Sequence, residues 1–406
     1  MPPLIPSPIS TELAKGASVS IIALVNCLLE EAHRSRASDI HVDPTHLGLK
    51  VRFRVDGILR DACTLPPGVH DEVISRIKIL CGLRTDEHQA AQDGRFRTNV
   101  NNANVDIRVS VVPTYYGENA IMRLLPESAD EHTLESLGFT VSNAEKILSA
   151  VKKSHGMVLV TGPTGSGKTT TLYTLVKMLN SPEVSILTIE DPVEYSVPGI
   201  NQIPVNARTG LTFATGLRSM LRQDPNIIMV GEIRDTETAS IAVNTALTGH
   251  LLLSTLHTND AATTLPRLLD MKVEPFLIAS TVNAAVAQRL VRRVCQACKE
   301  SRPMTDAEKA SLADHLPAEA LVGEHTVSVG KGCRECGNAG YAGRIGIHEV
   351  MVVDGPIRDA VLKKESASTI RTLALARGMV SMLHDGFIKA CRGETTIAEV
   401  LRVVHE

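Results

Sequence analysis

The chain has no tryptophan, and its aromatic residues together make up 3% of 406. Its core must therefore rest on aliphatic packing, and few rings are present on which nucleic-acid bases can stack. It also lacks an excess of charge. A formal net charge of −3 and a pI near 6.5 create no general field for holding a polyanion, although a local basic patch is compatible with both. No charge-free apolar run approaches the ~20 residues that a membrane span requires. The first residues, Met1-Pro2-Pro3-Leu4-Ile5-Pro6, are without the basic-then-apolar order of a signal peptide. These absences predict a cytoplasmic protein with no direct membrane insertion and no nucleic-acid partner. With 43% hydrophobic and 21% charged residues the chain is globular, and its length suits two or three domains. Eight cysteines in a reducing compartment argue against a disulfide framework, leaving metal coordination for any that are paired.

The densest chemical signal is Gly162-Pro163-Thr164-Gly165-Ser166-Gly167-Lys168-Thr169, continued by Thr170. It follows the apolar run Met157-Val158-Leu159-Val160, which reads as a buried strand, and precedes a helix start at Thr171-Leu172-Tyr173. That is the phosphate-loop pattern in its strand-loop-helix context. The glycines let backbone N–H groups curl around phosphates, Lys168 reaches the β- and γ-phosphates, and the Thr169 hydroxyl is a Mg²⁺ ligand.

Residues 1–16 are rich in Pro and Ser without periodicity and are expected to be a flexible tail. From Val19 on, Ile22, Val25, Leu28, Leu29 and Ala32 recur at helical spacing. Leu49, Val51, Phe53 and Val55 alternate with Lys50, Arg52 and Arg54, and Asp56-Gly57 supplies a tight turn. A second helix is predicted over 73–83, and Val105, Ile107, Val109 and Val111 form another alternating strand. One face of this domain thereby carries Arg52, Arg54, Arg108 and Arg95, and spacing alone reads it as a solvated strand face. Residues 126–135 are acidic and polar without a hydrophobic pattern, which places the interdomain linker there.

The centre of the chain alternates apolar runs with helical segments, as a parallel sheet covered on both faces does. The predicted strands over 184–189, 227–230 and 251–256 end on Glu190, Gly231-Glu232 and His257. Functional groups gather at the carboxyl ends of such strands. ATP hydrolysis needs a metal, a group that orients water, and positive charge for the transition state. Glu232 suits action on Mg²⁺ or its water shell, and Glu190 suits orienting the attacking water. His250 and His257 bracket the third strand, and either phosphate sensing or capping of a buried strand accounts for them. Arg218 and Arg222, at i and i+4 on a predicted helix, are candidates for the positive charge; the alternative is a solvent-facing basic helix.

Cys295-Gln296-Ala297-Cys298 and Cys333-Arg334-Glu335-Cys336 are two C-x-x-C pairs, suited to structural Zn²⁺ in four-thiolate coordination. The 34 residues between them exceed the usual spacing, so a helical excursion over 306–315 is expected. Cys27, Cys63, Cys81 and Cys391 read as small core residues.

Four further motifs carry a resemblance from residue 18 to the end. Ala37-Ser38-Asp39-Ile40-His41, Arg52-Phe53-Arg54-Val55-Asp56-Gly57 and Gln92-Asp93-Gly94-Arg95 resemble the arginine-bearing N-terminal domain of the type II secretion and type IV pilus assembly ATPases, the GspE/PilB-like group. Ile189-Glu190-Asp191-Pro192-Val193-Glu194 is similar to their aspartate box and Gly231-Glu232-Ile233-Arg234-Asp235 to their second nucleotide motif. Gly249-His250 through His257-Thr258-Asn259 is similar to their histidine box. The resemblance implies an α/β fold with a RecA-like P-loop motor domain (139–290), an α+β PAS-like N-terminal domain (17–125) and a linker (126–138). It also implies a C-terminal zinc-binding, mainly helical region (291–406). Catalytic roles follow by resemblance for Lys168, Glu190, Glu232 and His257, with Arg95, Arg108, Arg218 and Arg222 as nucleotide contacts across domains or subunits. ATP, Mg²⁺ and Zn²⁺ are the implied cofactors, and a homo-hexamer acting on an inner-membrane platform protein is the implied assembly, peripheral at the cytoplasmic face. By the same resemblance the cysteine module favours an assembly or secretion motor over a retraction or DNA-uptake motor, and the intact acids Glu190 and Glu232 count against a nucleotide-gated scaffold. The short stretch ahead of the first helix suggests a form without the extra N-terminal docking domain.

Overall fold

The alternation of Leu49, Val51 and Phe53 with Lys50, Arg52 and Arg54 is a strand in the computed structural model, which describes residues 8–126 and 132–405. The chain divides into two units, Met1–Ala129 and Asp130–Glu406. The first contains helices α1 (Pro8–Leu13) and α2 (Ile21–Arg34), strands β1 (Ala37–Thr45), β2 (Gly48–Val55) and β3 (Ile58–Leu65), helix α3 (His70–Cys81), and strands β4 (Gln92–Val100), β5 (Ala103–Thr114) and β6 (Gly117–Pro126). The strands form one antiparallel sheet of order β3-β2-β1-β6-β5-β4. Asp56 and Gly57 join β2 to β3 with φ of 52° and 86°, the left-handed pair that a two-residue hairpin uses to match strand twist.

α2 starts where the Ser20 hydroxyl accepts the Ala23 N–H. It buries Leu24, Val25, Leu28, Leu29 and Ala32, whereas Ile22 is turned outward. These side chains share a core with Val51, Ile107, Val109 and Met122 from the strands and Val73, Ile74 and Ile77 from α3. Pro8–Leu13 is helical within the stretch expected as a tail, and Ile9 in it is buried. Residues 1–7 of that tail and 127–131 of the expected linker lie outside the described residues.

The second unit begins with α4 (Val141–Val151), β7 (Gly156–Thr161), α5 (Lys168–Leu179), β8 (Ile186–Glu190), β9 (Asn201–Pro204) and α6 (Phe213–Met220). It continues with β10 (Ile227–Val230), α7 (Thr236–Leu247), β11 (Leu251–Leu256), α8 (Thr264–Asp270), α9 (Pro275–Thr281) and β12 (Val282–Val294). After these come β13 (Lys299–Pro303), α10 (Asp306–Ala313), β14 (Thr326–Gly330) and β15 (Tyr341–Val352), then α11 (Gly355–Leu362), α12 (Ala367–Ala376), α13 (Met382–Cys391) and α14 (Ile397–His405). Seven strands make the main sheet, in the order β15-β12-β7-β11-β10-β8-β9. All neighbours are parallel except the edge strand β15. Met157 and Leu159 enter one apolar core while Val158 and Val160 enter another. The sheet is thus buried on both faces, which is why its strands read as continuous apolar runs.

The expectation of a C-terminal, mainly helical zinc region is corrected. β12 runs through residue 290 and belongs to the main sheet, and β15 pairs with it from Ala284↔Val352 to Val294↔Tyr341. Cys295 follows β12 directly, Cys333 and Cys336 lie between β14 and β15, and β13 with β14 forms a two-stranded ribbon beside them. The cysteine cluster is therefore mid-chain in a sheet region, with α11–α14 beyond it. The physical cause is the composition of β12: Ala284-Ala285-Val286-Ala287 has no period-2 alternation, and a short apolar run does not by itself separate buried strand from helix. Pairing with β7 and β15 decides it. What the structure bears out is a RecA-like α/β core and a β-rich N-terminal unit.

A phosphate loop and its acidic neighbours

The loop leaves β7 through Gly162, at φ 144°. A Cβ there would lie 2.3 Å from the Gln288 carbonyl oxygen and 2.7 Å from Ser166 Oγ, so only glycine fits. Gly165 and Gly167 also take positive φ, 78° and 87°. Pro163 and Thr164 are exposed at the tip of the loop. α5 begins at Lys168 behind Gly167, which offers no side chain to the first helical N–H groups. Unsatisfied donors at the positive end of a helix favour an anion. Ser166 Oγ, buried in the loop, has no hydrogen-bond partner. Together these features fit a bound phosphate group.

Lys168 donates to the carbonyl oxygens of Gly162 at 2.8 Å and Pro163 at 2.9 Å. Burial pushes its pKa down, and the Glu232 carboxylate acts in the opposite direction. Thr169 is exposed at the start of α5, and Thr170 is half-buried with its carbonyl accepting from Thr174. Gln288 on β12 braces the loop from below. Its amide donates to the Ser166 carbonyl at 2.8 Å, and its oxygen accepts from the Thr171 hydroxyl at 2.8 Å. Sequence reasoning missed this residue. The available signal was a single amide within the otherwise apolar run Val286-Ala287-Gln288, where a buried polar group requires partners.

The parallel register brings the acids to the same sheet edge. Val230 lies beside Ile189 and Ser254, and Leu256 beside Thr161, so Glu190, Glu232, His257 and the loop all leave the carboxyl ends of neighbouring strands. Glu232 Oε2 meets Arg234 Nε at 2.7 Å and His257 Nε2 at 3.1 Å. Glu190 is buried, with Oε2 accepting the Tyr173 hydroxyl and Oε1 accepting from Thr188 Oγ1 at 2.6 Å and Gln202 Nε2 at 3.2 Å. His250 sits at the other end of β11, about 20 Å from His257 along the strand, with Nδ1 3.2 Å from the Thr245 carbonyl. Of the two histidines, His257 is the one that meets Glu232.

The arginines are placed differently. Arg218 on α6 pairs with Glu237 at 2.7 Å. Arg222 lies past the end of α6 and donates back to the Arg218 carbonyl at 3.0 Å. Both are exposed. In the first unit, cross-strand neighbours line up as Arg95, Arg108, Arg123, Asp39 and Arg54 across β4, β5, β6, β1 and β2. Asp39 accepts from Arg123 at 3.0 Å and lies 3.5 Å from Arg54. Like charges directly opposite one another cost stability, so the row is a concentrated positive strip.

Cys295, Cys298, Cys333 and Cys336 bring their sulfurs within 4.8 Å of one another. The pairs 295–333 and 298–336 are 3.9 Å apart, and 333–336 is 3.7 Å. A tetrahedron of ~2.3 Å zinc–sulfur bonds has edges of about 3.8 Å, so the set has the size of a four-thiolate zinc site. Burial pushes the Cys336 thiol up, but the N–H groups of Cys333 and Gly340 aimed at its sulfur bring it down to about 6.

A parallel sheet buried on both faces, with a phosphate loop and two acids at its carboxyl edge, defines a P-loop ATPase. A family model described as type II/IV secretion system protein matches residues 14–402, and the chain belongs to that family. It is 46% identical over 398 residues to the type IV pilus assembly ATPase PilB of Thermus thermophilus, covering 98% of this chain and 44% of the relative. It is 47% identical over 386 residues to the type II secretion system protein HxcR of Pseudomonas aeruginosa, covering 95% of this chain and 78% of the relative. The chain therefore spans less than half the length of one relative and over three quarters of the other. The X-ray structure of the Legionella pneumophila ATPase DotB shares the fold, with a TM-score of 0.66 at 22% identity over 93% of this chain and 94% of that one.

Proposed function

We propose that the chain hydrolyses Mg-ATP to drive assembly of a type IV pilus or of the pseudopilus of type II secretion. The observation that carries this reading is the phosphate loop with its buried Lys168 at the carboxyl edge of the sheet, in a family that includes a pilus assembly ATPase. The Gly162–Thr170 loop cradles the phosphates, and Lys168 exchanges its loop carbonyls for phosphate oxygens. Thr169 and Glu232 would hold Mg²⁺, which would supply positive charge to offset that of the phosphates. Glu190 orients the attacking water: as its oxygen bonds to the γ-phosphorus, the bond to the β-phosphate oxygen breaks, leaving ADP and phosphate. His257 holds Glu232 in place and senses its environment. Arg95, Arg108, Arg218 and Arg222 act as phosphate-directed cations.

Zinc on the four cysteines has a structural role, since four protein ligands leave no open position. The working form is a homo-hexamer at the cytoplasmic face of the inner membrane, acting on a platform protein. Among the described residues no helix is long and apolar enough to cross a membrane. Steady-state phosphate release tests the proposal. Glu232→Gln is expected to slow turnover about 100-fold or more with nucleotide affinity largely kept, and Lys168→Ala to weaken binding itself. Near-normal hydrolysis in both variants overturns it.

A further inference from the structure

We propose that Tyr173 is a positioning residue for hydrolysis, using its phenol to lock the Glu190 carboxylate and to tie its orientation to the helix that carries the phosphate loop. This rests on the reading that Glu190 orients the attacking water. Tyr173 lies one helical turn beyond Thr169 on α5, so both side chains share a face of that helix. The Tyr173 side chain is 1% exposed, and Glu190 is 3% exposed. The phenol donates to Glu190 Oε2 and accepts from the Glu194 N–H and the Gln202 amide, both at 3.3 Å.

A carboxylate buried to this degree is costly unless hydrogen bonds hold it. Glu190 obtains them from three uncharged donors, the hydroxyls of Tyr173 and Thr188 and the amide of Gln202. They occupy three of the roughly four acceptor positions of a carboxylate, and both oxygens are thereby pinned. Burial and the Glu190 contact push the phenol far up, so it stays a donor throughout the range in which the protein works. The ring is held independently of its hydroxyl, by edge-to-face packing on Tyr195 at 4.5 Å and 82°.

The consequence is a mechanical link. β8 and α5 have no covalent reason to move together, yet a displacement of α5 on phosphate binding carries the Tyr173 oxygen with it, and Glu190 must follow or lose a donor. Gln202 on β9 bonds both partners and closes the triangle. Neither Thr188 nor Gln202 is on the phosphate-loop helix, so Tyr173 is the member of the set that reports the loop.

Tyr173→Phe and Glu190→Gln in the full chain test this through steady-state phosphate release, nucleotide binding and thermal melting. The ring contacts survive in Tyr173→Phe, so the variant is expected to fold, which the melt verifies. Its nucleotide Kd is expected within about 3-fold of wild type while kcat falls about 10- to 100-fold. A purely structural tyrosine lowers the melting temperature and leaves kcat of the folded protein unchanged. Wild-type kcat in Tyr173→Phe, with Glu190→Gln inactive, overturns the positioning role alone. A fully active Glu190→Gln removes the assignment of Glu190 and this inference with it.

Discussion

Gln288 shows how a site depends on single side chains that contact no substrate. It is separated by 122 residues from the Ser166 carbonyl it holds, and its other partner is the Thr171 hydroxyl. Gln288→Leu keeps approximate volume but leaves a buried carbonyl and a buried hydroxyl without partners, at a cost of about 1–3 kcal/mol. Because one of those groups is in the loop, ADP affinity is expected to fall about tenfold, measured by calorimetry beside a thermal melt. Unchanged affinity would show that the loop holds its shape without the brace. The loop itself, Glu232 and His257 were legible in the sequence, since each sits in or next to a contiguous apolar run whose end marks the sheet edge. Gln288 was not, and neither were Tyr173 and Gln202 as partners of Glu190, because those bonds join residues on different elements.

At the scale of elements, β12 ties several others together. It lies between β7 and β15, braces the phosphate loop through Gln288 and ends at Cys295. It is fastened to α14 by an ionic cluster in which Arg292 meets Glu399 at 2.7 and 3.0 Å and Arg402 meets it at 2.6 and 3.0 Å. Arg292 also lies 4.0 Å over the ring of Tyr341 on β15. Burial alone would raise the Glu399 pKa, but the two guanidinium groups overrule it and hold it at about 2, against 4.5 unperturbed. A depressed carboxyl pKa stabilises the fold fully above the unfolded value and loses that contribution as pH falls from about 4.5 towards 2. Glu399→Gln is therefore expected to cost about 3 kcal/mol at pH 7, since it strips a buried charge partner from two arginines. Denaturation of wild type and variant at several pH values should show this difference shrink between pH 5 and 3. A constant difference would mean that the pair contributes by packing alone.

At the scale of the whole molecule, the four-cysteine cluster joins the end of β12 to the segment between β14 and β15, which β12–β15 pairing and the β13–β14 ribbon also hold together. Zinc there is expected at about one equivalent per chain, and its removal by a chelator should lower the melting temperature by several degrees, as loss of a structural metal does. Less than half an equivalent in carefully handled protein, or a melt unaffected by chelation, would remove zinc from the account. The position of the cluster also explains why a helical C-terminal region was the wrong expectation. Two C-x-x-C pairs announce a metal site through four residues, but they carry no information about the elements on which they hang.

The sequence by itself determined the phosphate loop, the strands over 157–160, 227–230 and 251–256, the turn at Asp56-Gly57, the paired cysteines and the family. All of these are written in spacing over a few residues, where backbone geometry and burial act locally. Only the tertiary structure decided that β12 and β15 complete the main sheet, and that Glu190 is held by Tyr173, Thr188 and Gln202. Strand order and most buried polar pairing are settled by contacts between residues distant in the chain, which no local periodicity records.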